Sequence, residues 1–376
     1  MSKKYCIFIT TLFCAFIGLF LVANAASPDR EFSEMENRNL EQMPTISAKS
    51  LLSGEFMKDF ETYTTDQFVG RDAWIGLKSS MERALGKKEN NNVYFCDEDT
   101  LITRFDQPDA TKVSENLNYV NNFVENVDIP VTFSLIPTQA CIWADRLPAG
   151  APNASQTDLL EQAKAAVPGA TWADLYSSLW EHKDEDIFYR TDHHWTSLGA
   201  YYGYAAVMET LGRGEDTLPM SAFTLETAST DFNGTLYSQS GIHWLTPDTI
   251  EFWVQDDGLS ITSWRTGEPQ SGTLYDRSYL EKKDKYSSFL GGNQPLCVIR
   301  NEAAAGKGKL LLIRDSYSDS LAPFLAQSFE EVHLIDTRYY RMSPAQYAAE
   351  NGIDEICVLF SIPNFITEKS LVFIGQ

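Results

Sequence analysis

Four apolar residues, Leu310-Leu311-Leu312-Ile313, run directly into Arg314-Asp315-Ser316-Tyr317-Ser318 late in the chain. An unbroken apolar run is typical of a strand that is covered on both faces of a sheet. The residues after it predict a turn and then a helix over 319–328, which places the Ser316 hydroxyl at a strand-to-helix turn. There its own N–H and that of the next residue would point at a developing oxyanion. The polar residues of this turn would equally serve as plain helix N-caps.

Two later apolar runs repeat this pattern. They cover 332–335 and 355–360, with a helix predicted over 343–350 between them. Apolar runs that alternate with helices predict parallel strands and an α/β fold in three layers, α/β/α. We therefore expect the three strands to be parallel neighbours. Ligands of such sheets collect at the carboxyl ends of the strands, where Ser316, the Asp336-Thr337-Arg338 turn and Asn364 would lie.

The alternation begins upstream of the serine. It predicts helices over 111–127, 157–167 and from Thr196 or Ser197 to 211, and strands over 131–136 and 171–175. Residues 215–295 break the alternation, because glycines and prolines punctuate alternating aromatic and polar stretches there. We interpret this segment as a β-rich insertion.

The N-terminal part of the chain is organised differently. An apolar run over 7–22 follows Lys3 and Lys4 and precedes Ala23-Asn24-Ala25, which predicts that residues 1–25 are a signal peptide. The run approaches the length of a bilayer span, so a membrane anchor is the alternative. Both interpretations place the rest of the chain outside the cytoplasm, secreted or anchored. Residues 27–109 are expected to be a helical segment, with amphipathic helices over 55–63 and 74–81 and a solvated turn over 66–72.

Composition excludes some partners and sites. The 376 residues carry a net charge of −22, and such a field repels nucleic acid and anionic lipid headgroups. Beyond the leader the cysteines are Cys96, Cys141, Cys297 and Cys357, and none form a close pair with zinc-ligand spacing. Two disulfides and buried free thiols are both compatible with them.

The motif Thr191-Asp192-His193-His194-Trp195 contains two of the chain's five histidines. A base needs an orienting carboxylate and a nucleophile within hydrogen-bond reach. Asp192 and His194 would share one side of an extended segment, which favours His194 as the base and leaves His193 for packing or substrate contact. With Ser316 as nucleophile these residues predict a Ser-His-Asp site.

A metal site is the competing interpretation of the same motif, since Asp192, His193 and His194 offer three ligands. Adjacent residues tend to point apart, however, and only His182, His243 and His333 remain to add an imidazole. We therefore predict no metal, and no cofactor is needed for the serine chemistry.

The histidine motif, the Asp-Ser-Tyr-Ser block and Glu36-Asn37-Arg38-Asn39-Leu40 resemble the DHHW protein family, which is similar to the alginate O-acetyltransferase group of SGNH-hydrolase-like proteins. The resemblance implies a circularly permuted SGNH-hydrolase-like domain over 27–376, with Ser316 as nucleophile, His194 as base and Asp192 as the orienting carboxylate. It also implies that Asn364 lends an oxyanion donor, a role for which Gly291-Gly292-Asn293 is a rival.

Further residues are predicted to touch the substrate or the oxyanion. They are Tyr317, Arg314, His193 and Trp195. Arg314 replaces the glycine of the usual Gly-Asp-Ser. There it would pair with Asp315, recognise a carboxylate on a glycan, or turn away to pair with a surface acid. Trp195, Trp244, Trp253 and Trp264 would stack on sugars or pack in the core.

These expectations converge on an exported enzyme that transfers or removes an acyl group, most simply acetyl, on a cell-envelope or secreted glycan. The sequence does not identify the acyl donor. The alternative is a glycan-binding or scaffold protein whose site on the same fold is degenerate.

Overall fold

The computed structural model describes residues 2–33, 35–36, 38–242, 244–255 and 258–375. Asn37 of the N-terminal motif and His243 therefore lie outside the described residues. The chain divides into two compact units. The first comprises Met1–Lys87 with Ser238–Trp244, and the second comprises Lys88–Tyr237 with Leu245–Gln376.

The helices of the described residues are α1 (Lys3–Ala26), α2 (Ala48–Ser53), α3 (Glu55–Asp66), α4 (Arg71–Ala84), α5 (Ala110–Asn126), α6 (Gln139–Ile142), α7 (Gln156–Ala166), α8 (Leu175–Glu181), α9 (Ser197–Thr210), α10 (Thr235–Ser240), α11 (Ser318–Ser328), α12 (Pro344–Asn351) and α13 (Ile362–Thr367).

The strands are β1 (Phe32–Ser33), β2 (Arg38–Asn39), β3 (Glu89–Asn90), β4 (Val93–Phe95), β5 (Leu101–Thr103), β6 (Val131–Ile136), β7 (Thr171–Trp172), β8 (Thr224–Phe232), β9 (Asp248–Val254), β10 (Leu259–Ser263), β11 (Gln270–Ser271), β12 (Leu296–Asn301), β13 (Lys309–Arg314), β14 (Glu331–Ile335) and β15 (Glu355–Ser361).

A large mixed sheet forms the centre of the second unit, in the order β11-β10-β12-β14-β13-β15-β6-β7. β13 pairs in parallel with β14 on one side and with β15 on the other, and β15 pairs in parallel with β6. The predicted parallel neighbours are thus confirmed. Beyond β14 the sheet turns antiparallel, through β12 and then β10.

β13 lies in the middle of this sheet because its apolar run leaves no polar side chain to face water. Leu310, Leu311, Leu312 and Ile313 are all fully buried. Each such side chain stabilises the fold by roughly 1.5–3 kcal/mol relative to an exposed position. The strand is therefore a rigid support for the turn that follows it.

The strand predicted over 171–175 is wrong beyond Trp172. Asp174 accepts a hydrogen bond from the Ser177 N–H at 3.0 Å, so it caps α8, which begins at Leu175. A short side-chain cap of this kind competes successfully with strand extension. The helix α13, which directly follows β15, was not predicted from the sequence. The residues that follow Pro363 at its start show no helical apolar periodicity.

Residues 215–295 contribute strands in two places. β8 and β9 pair antiparallel with each other. β10 and β11 instead pair antiparallel beside β12 and extend the edge of the central sheet. All six cysteines of the chain are free, and Cys297 and Cys357 are buried in the sheet.

The first unit contains α1, a 24-residue helix that is long and apolar enough to cross a membrane. Its last turns pack on the α3–α4 turn, where the Phe20 ring stacks on Phe68 at 5.6 Å and the Asn24 side chain accepts the Val69 N–H at 2.7 Å. The expectation of a solvated turn is wrong for Asp66. This carboxylate is buried and pairs with Arg38 at 2.6 Å, which lowers its pKa.

Candidate active site

Ser316 is the second residue after β13, and its Oγ lies 2.9 Å from His194 Nε2. The other ring nitrogen of His194, Nδ1, lies 2.6 Å from Asp192 Oδ1. The three side chains therefore form one hydrogen-bonded chain from carboxylate to imidazole to hydroxyl. This is the arrangement that lets an imidazole take a proton from a serine while a carboxylate holds the ring in place.

A turn, rather than an extended segment, brings Asp192 and His194 together. The Asp192 carboxylate also accepts the backbone N–H of His194 at 3.0 Å, which closes the chain between the two residues. The loop is held at its base by a bridge between Phe188 and Trp195 and by the Tyr189 N–H, which donates to the His194 carbonyl at 3.2 Å.

The second carboxylate oxygen of Asp192 is held by the segment after β8. Asp192 Oδ2 accepts the N–H of Thr235 at 2.8 Å and its hydroxyl at 3.0 Å. The neighbouring Gly234 has no room for a side chain, because a Cβ there would lie 2.3 Å from the Asp192 Cβ. Asp192 is thus fixed on both oxygens.

The charge state of Asp192 follows from these contacts. Burial by itself raises the pKa of its carboxyl, but His193, His194 and the Thr235 N–H lower it more, so the pKa lies well below the ordinary value. Asp192 therefore stays ionised and can stabilise a positive charge on His194.

Two rings cover the faces of the His194 imidazole. Tyr286 stacks on it with ring centroids 3.7 Å apart and planes at 7°, and its hydroxyl donates to the Ser316 carbonyl at 3.0 Å. His193 lies on the imidazole at 3.9 Å and places its Nδ1 2.6 Å from the Thr235 hydroxyl. His193 thus contacts the base, and part of its side chain remains exposed.

Ser316 alone among residues 310–326 is not buried. Its neighbour Tyr317 is 1% exposed and donates its hydroxyl to the His193 carbonyl. Trp195 is fully buried, and its Nε1 donates to the Tyr317 carbonyl at 2.9 Å. Both predicted substrate contacts are therefore core side chains that join the serine turn to the histidine loop, so sugar stacking by Trp195 would require the core to open.

Asp315 ties the serine turn to the end of β15. Its Oδ2 accepts the Ser361 N–H at 2.8 Å, the Ser361 hydroxyl at 2.6 Å and the Asn364 side-chain amide at 2.7 Å. Its Oδ1 accepts the Tyr317 N–H at 3.1 Å, so this amide is already engaged and does not face an oxyanion. A primary amide has two N–H groups, which leaves Asn364 a second donor.

Arg314 is fully buried and points into the protein rather than toward a ligand. Its Nη1 lies 2.8 Å from Asp319 Oδ1, and Asp319 is buried as well. The partner is thus neither the Asp315 side chain nor a surface acid. Burial raises the pKa of Asp319 to about 6, and the attraction of Arg314 offsets only part of that rise.

Asn293, the rival oxyanion donor, faces the neighbouring strand end. Its side-chain oxygen accepts a hydrogen bond from Arg338 Nη2 at 3.0 Å. The Arg338 guanidinium is also paired with Asp336 at 2.6 Å. The turn after β14 therefore forms an ion pair of its own beside the serine turn.

The ligand atoms of Asp192, His193 and His194 lie within 4.8 Å of one another, which is compact enough to consider a metal. Two ligands of a tetrahedral zinc with bonds of about 2.1 Å stand roughly 3.4 Å apart. Asp192 Oδ1 and His194 Nδ1 are closer than that, at 2.6 Å, because they share a proton. The geometry fits a hydrogen-bonded pair better than a pair of metal ligands.

Sequence reasoning missed several residues of this site, above all Tyr286, Thr235 and Gly234. All three come from residues 215–295, which were interpreted only as an insertion. The sequence offers no local signal for them, since each acts through a contact with a residue far away in the chain. Asp315 was considered a cap and not an anchor for Asn364.

The large mixed sheet and the hydrogen-bonded chain of Asp192, His194 and Ser316 define an α/β protein with a candidate serine-nucleophile site. The family is more specific: the DHHW protein family matches residues 163–335, which include Asp192, His194 and Ser316. The family resemblance predicted from the motif is thereby confirmed over residues 163–335, which make up just under half of the chain.

Two curated relatives are probable alginate O-acetylases AlgJ. The protein of Pseudomonas syringae pv. tomato is 25% identical over 198 residues, which cover 49% of this chain and 48% of the relative. The protein of Pseudomonas aeruginosa is 25% identical over 176 residues, covering 43% and 44%. The chain thus spans about half the length of the curated relatives it matches.

Solved structures share the fold over a larger part of the chain. A DHHW family protein from Eubacterium siraeum has a TM-score of 0.66 at 25% identity and covers 77% of this chain and 96% of that one. Bacillus cereus PatB1 with a sulfonyl adduct has a TM-score of 0.62 at 20% identity and covers 75% and 99%.

Proposed function

We propose that this protein transfers or removes an acyl group, acetyl in the simplest case, on a glycan outside the cytoplasm, with Ser316, His194 and Asp192 as its catalytic residues. The observation that carries the proposal is the chain of hydrogen bonds at 2.6 and 2.9 Å that ends on the one partly exposed residue of the serine turn.

The chemistry follows from these contacts. His194 Nε2 takes the proton of the Ser316 hydroxyl as Oγ attacks the carbonyl carbon of the acyl donor. The tetrahedral intermediate collapses, the bond to the donor breaks, and His194 returns the proton to the leaving group. A sugar hydroxyl or water then gives its proton to His194 and attacks the acyl carbon. The bond from that carbon to Ser316 Oγ breaks, and His194 returns the proton to Oγ, which restores the free serine. Asp192 stabilises the imidazolium in both halves.

The oxyanion needs donors beside Ser316. The second N–H of Asn364 is the donor we favour, because Asp315 already fixes its amide at 2.7 Å. The Ser316 backbone N–H is the natural second donor, whereas the Tyr317 N–H is bonded to Asp315. An oxyanion donor of this kind is worth about 2.7–4 kcal/mol of the activation barrier.

A glycan substrate is supported by the two curated relatives, which are named as probable alginate O-acetylases. The histidine block precedes the serine block along the chain, so we assign the fold as a circularly permuted, three-layer SGNH-hydrolase-like domain. Residues 215–295 are then a β-rich insertion that supplies Thr235 and Tyr286 to the site. We place the protein outside the cytoplasm, with α1 as a signal peptide or as a membrane anchor. The packing of the last turns of α1 on the α3–α4 turn favours the anchor.

An ester assay tests the proposal. Wild-type protein should release acetate from a chromogenic acetyl ester, and Ser316→Ala should lose activity by about a thousandfold or more, since removal of the nucleophile leaves only binding and oxyanion effects. Ser318→Ala is the matched control, because Ser318 is the first residue of α11, two residues after Ser316, and its hydroxyl has no hydrogen-bond partner among the described residues. A chelator should leave turnover unchanged. Activity that survives in Ser316→Ala would refute the assignment, and an inactive wild type would favour the degenerate glycan-binding protein.

A further inference from the structure

One side of α4 is apolar and exposed. Trp74, Leu77, Met81 and Leu85, which directly follows the helix, recur at the spacing that aligns side chains along one side. Their exposed fractions rise along the helix, from 43% through 49% and 60% to 87%. We call these four residues the α4 stripe. A helix in a globular unit normally turns such a stripe to its core, so an exposed one marks a contact surface.

The α4 stripe begins where α1 ends. The Trp74 ring lies 5.8 Å from the ring of Phe20 near the end of α1. Between the two helices lies a groove of about 620 Å³, whose wall includes Asn24, Phe68 and Ile75 and whose cations are Arg71 and Lys78. α1 has no buried residue and is long and apolar enough to cross a membrane, so its surface fits a bilayer. The stripe is therefore continuous with a surface that already fits lipid.

The charge around α4 differs from that of the rest of the chain. Residues 71–88 contain five basic and two acidic side chains, a net charge of +3, whereas the whole chain carries −22. Tryptophan and basic residues beside an apolar stripe are typical of helices that lie in a membrane interface. A locally basic helix in an acidic chain is thus complementary to anionic headgroups that the rest of the protein would repel.

We propose that α4 lies flat in the interface of the bilayer that α1 enters, with the α4 stripe at the acyl-chain boundary and Lys78 and Lys87 at anionic headgroups. The occupant of the stripe is the lipid surface and not another protein. The inference rests on α1 as a membrane anchor and is independent of the chemistry at Ser316. Its consequence is a second attachment that fixes the orientation of the first unit at the membrane.

Quenching of tryptophan fluorescence tests this arrangement. The full chain is reconstituted into phosphatidylcholine vesicles with and without phosphatidylglycerol, whose acyl chains are brominated near the headgroup end. α1 contains no tryptophan, so the anchor adds no signal. Every variant, and the wild type used for comparison, carries Trp244→Phe, because the exposed Trp244 ring lies 5.9 Å from Arg83 of α4 and would report the same surface. We expect bromolipid to quench the wild type, and Trp74→Phe to lose most of the quenching. Trp180→Phe should keep it, since Trp180 is as exposed as Trp74, at 42%, but lies on α8.

A second variant tests whether the helix lies flat. In Trp74→Phe/Leu85→Trp the only tryptophan on α4 lies at the far end of the stripe, and we expect quenching to return and to be stronger with phosphatidylglycerol. Two results would overturn the proposal, provided that the protein floats with the vesicles. One is equal quenching of the wild type and Trp74→Phe, and the other is quenching that does not return in Trp74→Phe/Leu85→Trp. If the protein does not float with the vesicles, both the assignment of α1 as a membrane anchor and this inference are wrong. The proposed function would still be tested separately, by ester turnover.

Discussion

The base His194 is held between two aromatic rings, and this is the feature of single residues that matters most for the proposed chemistry. A general base must keep its orientation while its charge changes, and a stacked ring restricts rotation without removing the hydrogen bond to Ser316. Tyr286 covers one face with planes only 7° apart. Burial raises the pKa of Tyr286 well above its ordinary value, so this ring stays neutral and does not compete for the proton.

Tyr286→Leu should lower kcat/KM by roughly threefold to tenfold, since a stacked aromatic pair contributes about 0.5–1.5 kcal/mol. Tyr286→Phe keeps the stack and loses only the hydrogen bond to the Ser316 carbonyl, so its loss should be smaller. Steady-state kinetics over a range of pH separate the effects of the two variants, because loss of the stack loosens the His194 ring and should also shift the pH profile of kcat/KM. Equal losses in both variants would show that the hydroxyl, and not the stack, positions the site.

Gly234 offers a test of the contact behind Asp192. Gly234→Ala places a Cβ within 2.4 Å of Asp192 Oδ2, so the carboxylate must move away from His194. We expect a loss of kcat by tenfold or more, with about 1–3 kcal/mol lost from the free energy of unfolding. Gly169→Ala is the matched control, because its Cβ meets only the end of the Val124 side chain, at 3.0 Å. Unchanged turnover in Gly234→Ala would mean that the orientation of Asp192 is unimportant.

At the scale of elements, the strand β13 and its parallel neighbours could be predicted from the sequence because their signals are local. The apolar run predicts a buried strand, and helical spacing on either side predicts parallel neighbours. The residues of the loop before α9 were predicted to approach Ser316 only because the chemistry needs them together. The turn between Asp192 and His194 could not be predicted in this way. It is held by a hydrogen bond from the His194 backbone N–H, and residue types alone do not distinguish such a turn from an extended segment.

Other parts were not predictable, and the reason is the same in each case. Arg314 looks like a surface or ligand residue by type, yet its partner is Asp319, the second residue of α11, and both are buried. Asp66 looks like a turn residue, yet Arg38 from a distant strand covers it. Tertiary partners decide the burial of charged side chains, and sequence periodicity does not record partners.

The buried pair makes a prediction on stability. The pKa of Asp319 is raised to about 6, mainly by burial, with Asp336 adding to the rise. A raised folded-state pKa means that the folded protein holds this proton more tightly than the unfolded chain. The stabilisation from the protonated form is therefore complete below about pH 4, the ordinary value for Asp, and is lost as the pH rises through about 6.

The free energy of unfolding, measured in urea between pH 4 and 7, should thus fall by up to about 3 kcal/mol more in wild type than in Asp319→Asn. Removing the cation is a separate case. Arg314→Met leaves a buried acid without its partner and should cost about 3–5 kcal/mol, much of it recovered in Arg314→Met/Asp319→Leu. An identical pH dependence in wild type and Asp319→Asn would contradict a titrating buried acid.

At the scale of the whole molecule, the central claim is that Ser316 is an activated nucleophile. Its reactivity toward a sulfonyl fluoride is the most direct measure, because the sulfonyl group is captured only by a hydroxyl whose proton a neighbouring base removes. B. cereus PatB1, which shares the fold, has a solved structure with a sulfonyl adduct. Mass spectrometry of the intact chain and of its peptides reports both the number of adducts and their position.

We predict one adduct, on the peptide that contains Ser316, absent in Ser316→Ala and formed at least a hundredfold more slowly in His194→Ala. Ser318→Ala should react like the wild type, since Ser318 is two residues from Ser316 and its hydroxyl is not hydrogen-bonded to His194. An adduct on another residue, or a rate at Ser316 that does not depend on His194, would contradict the account.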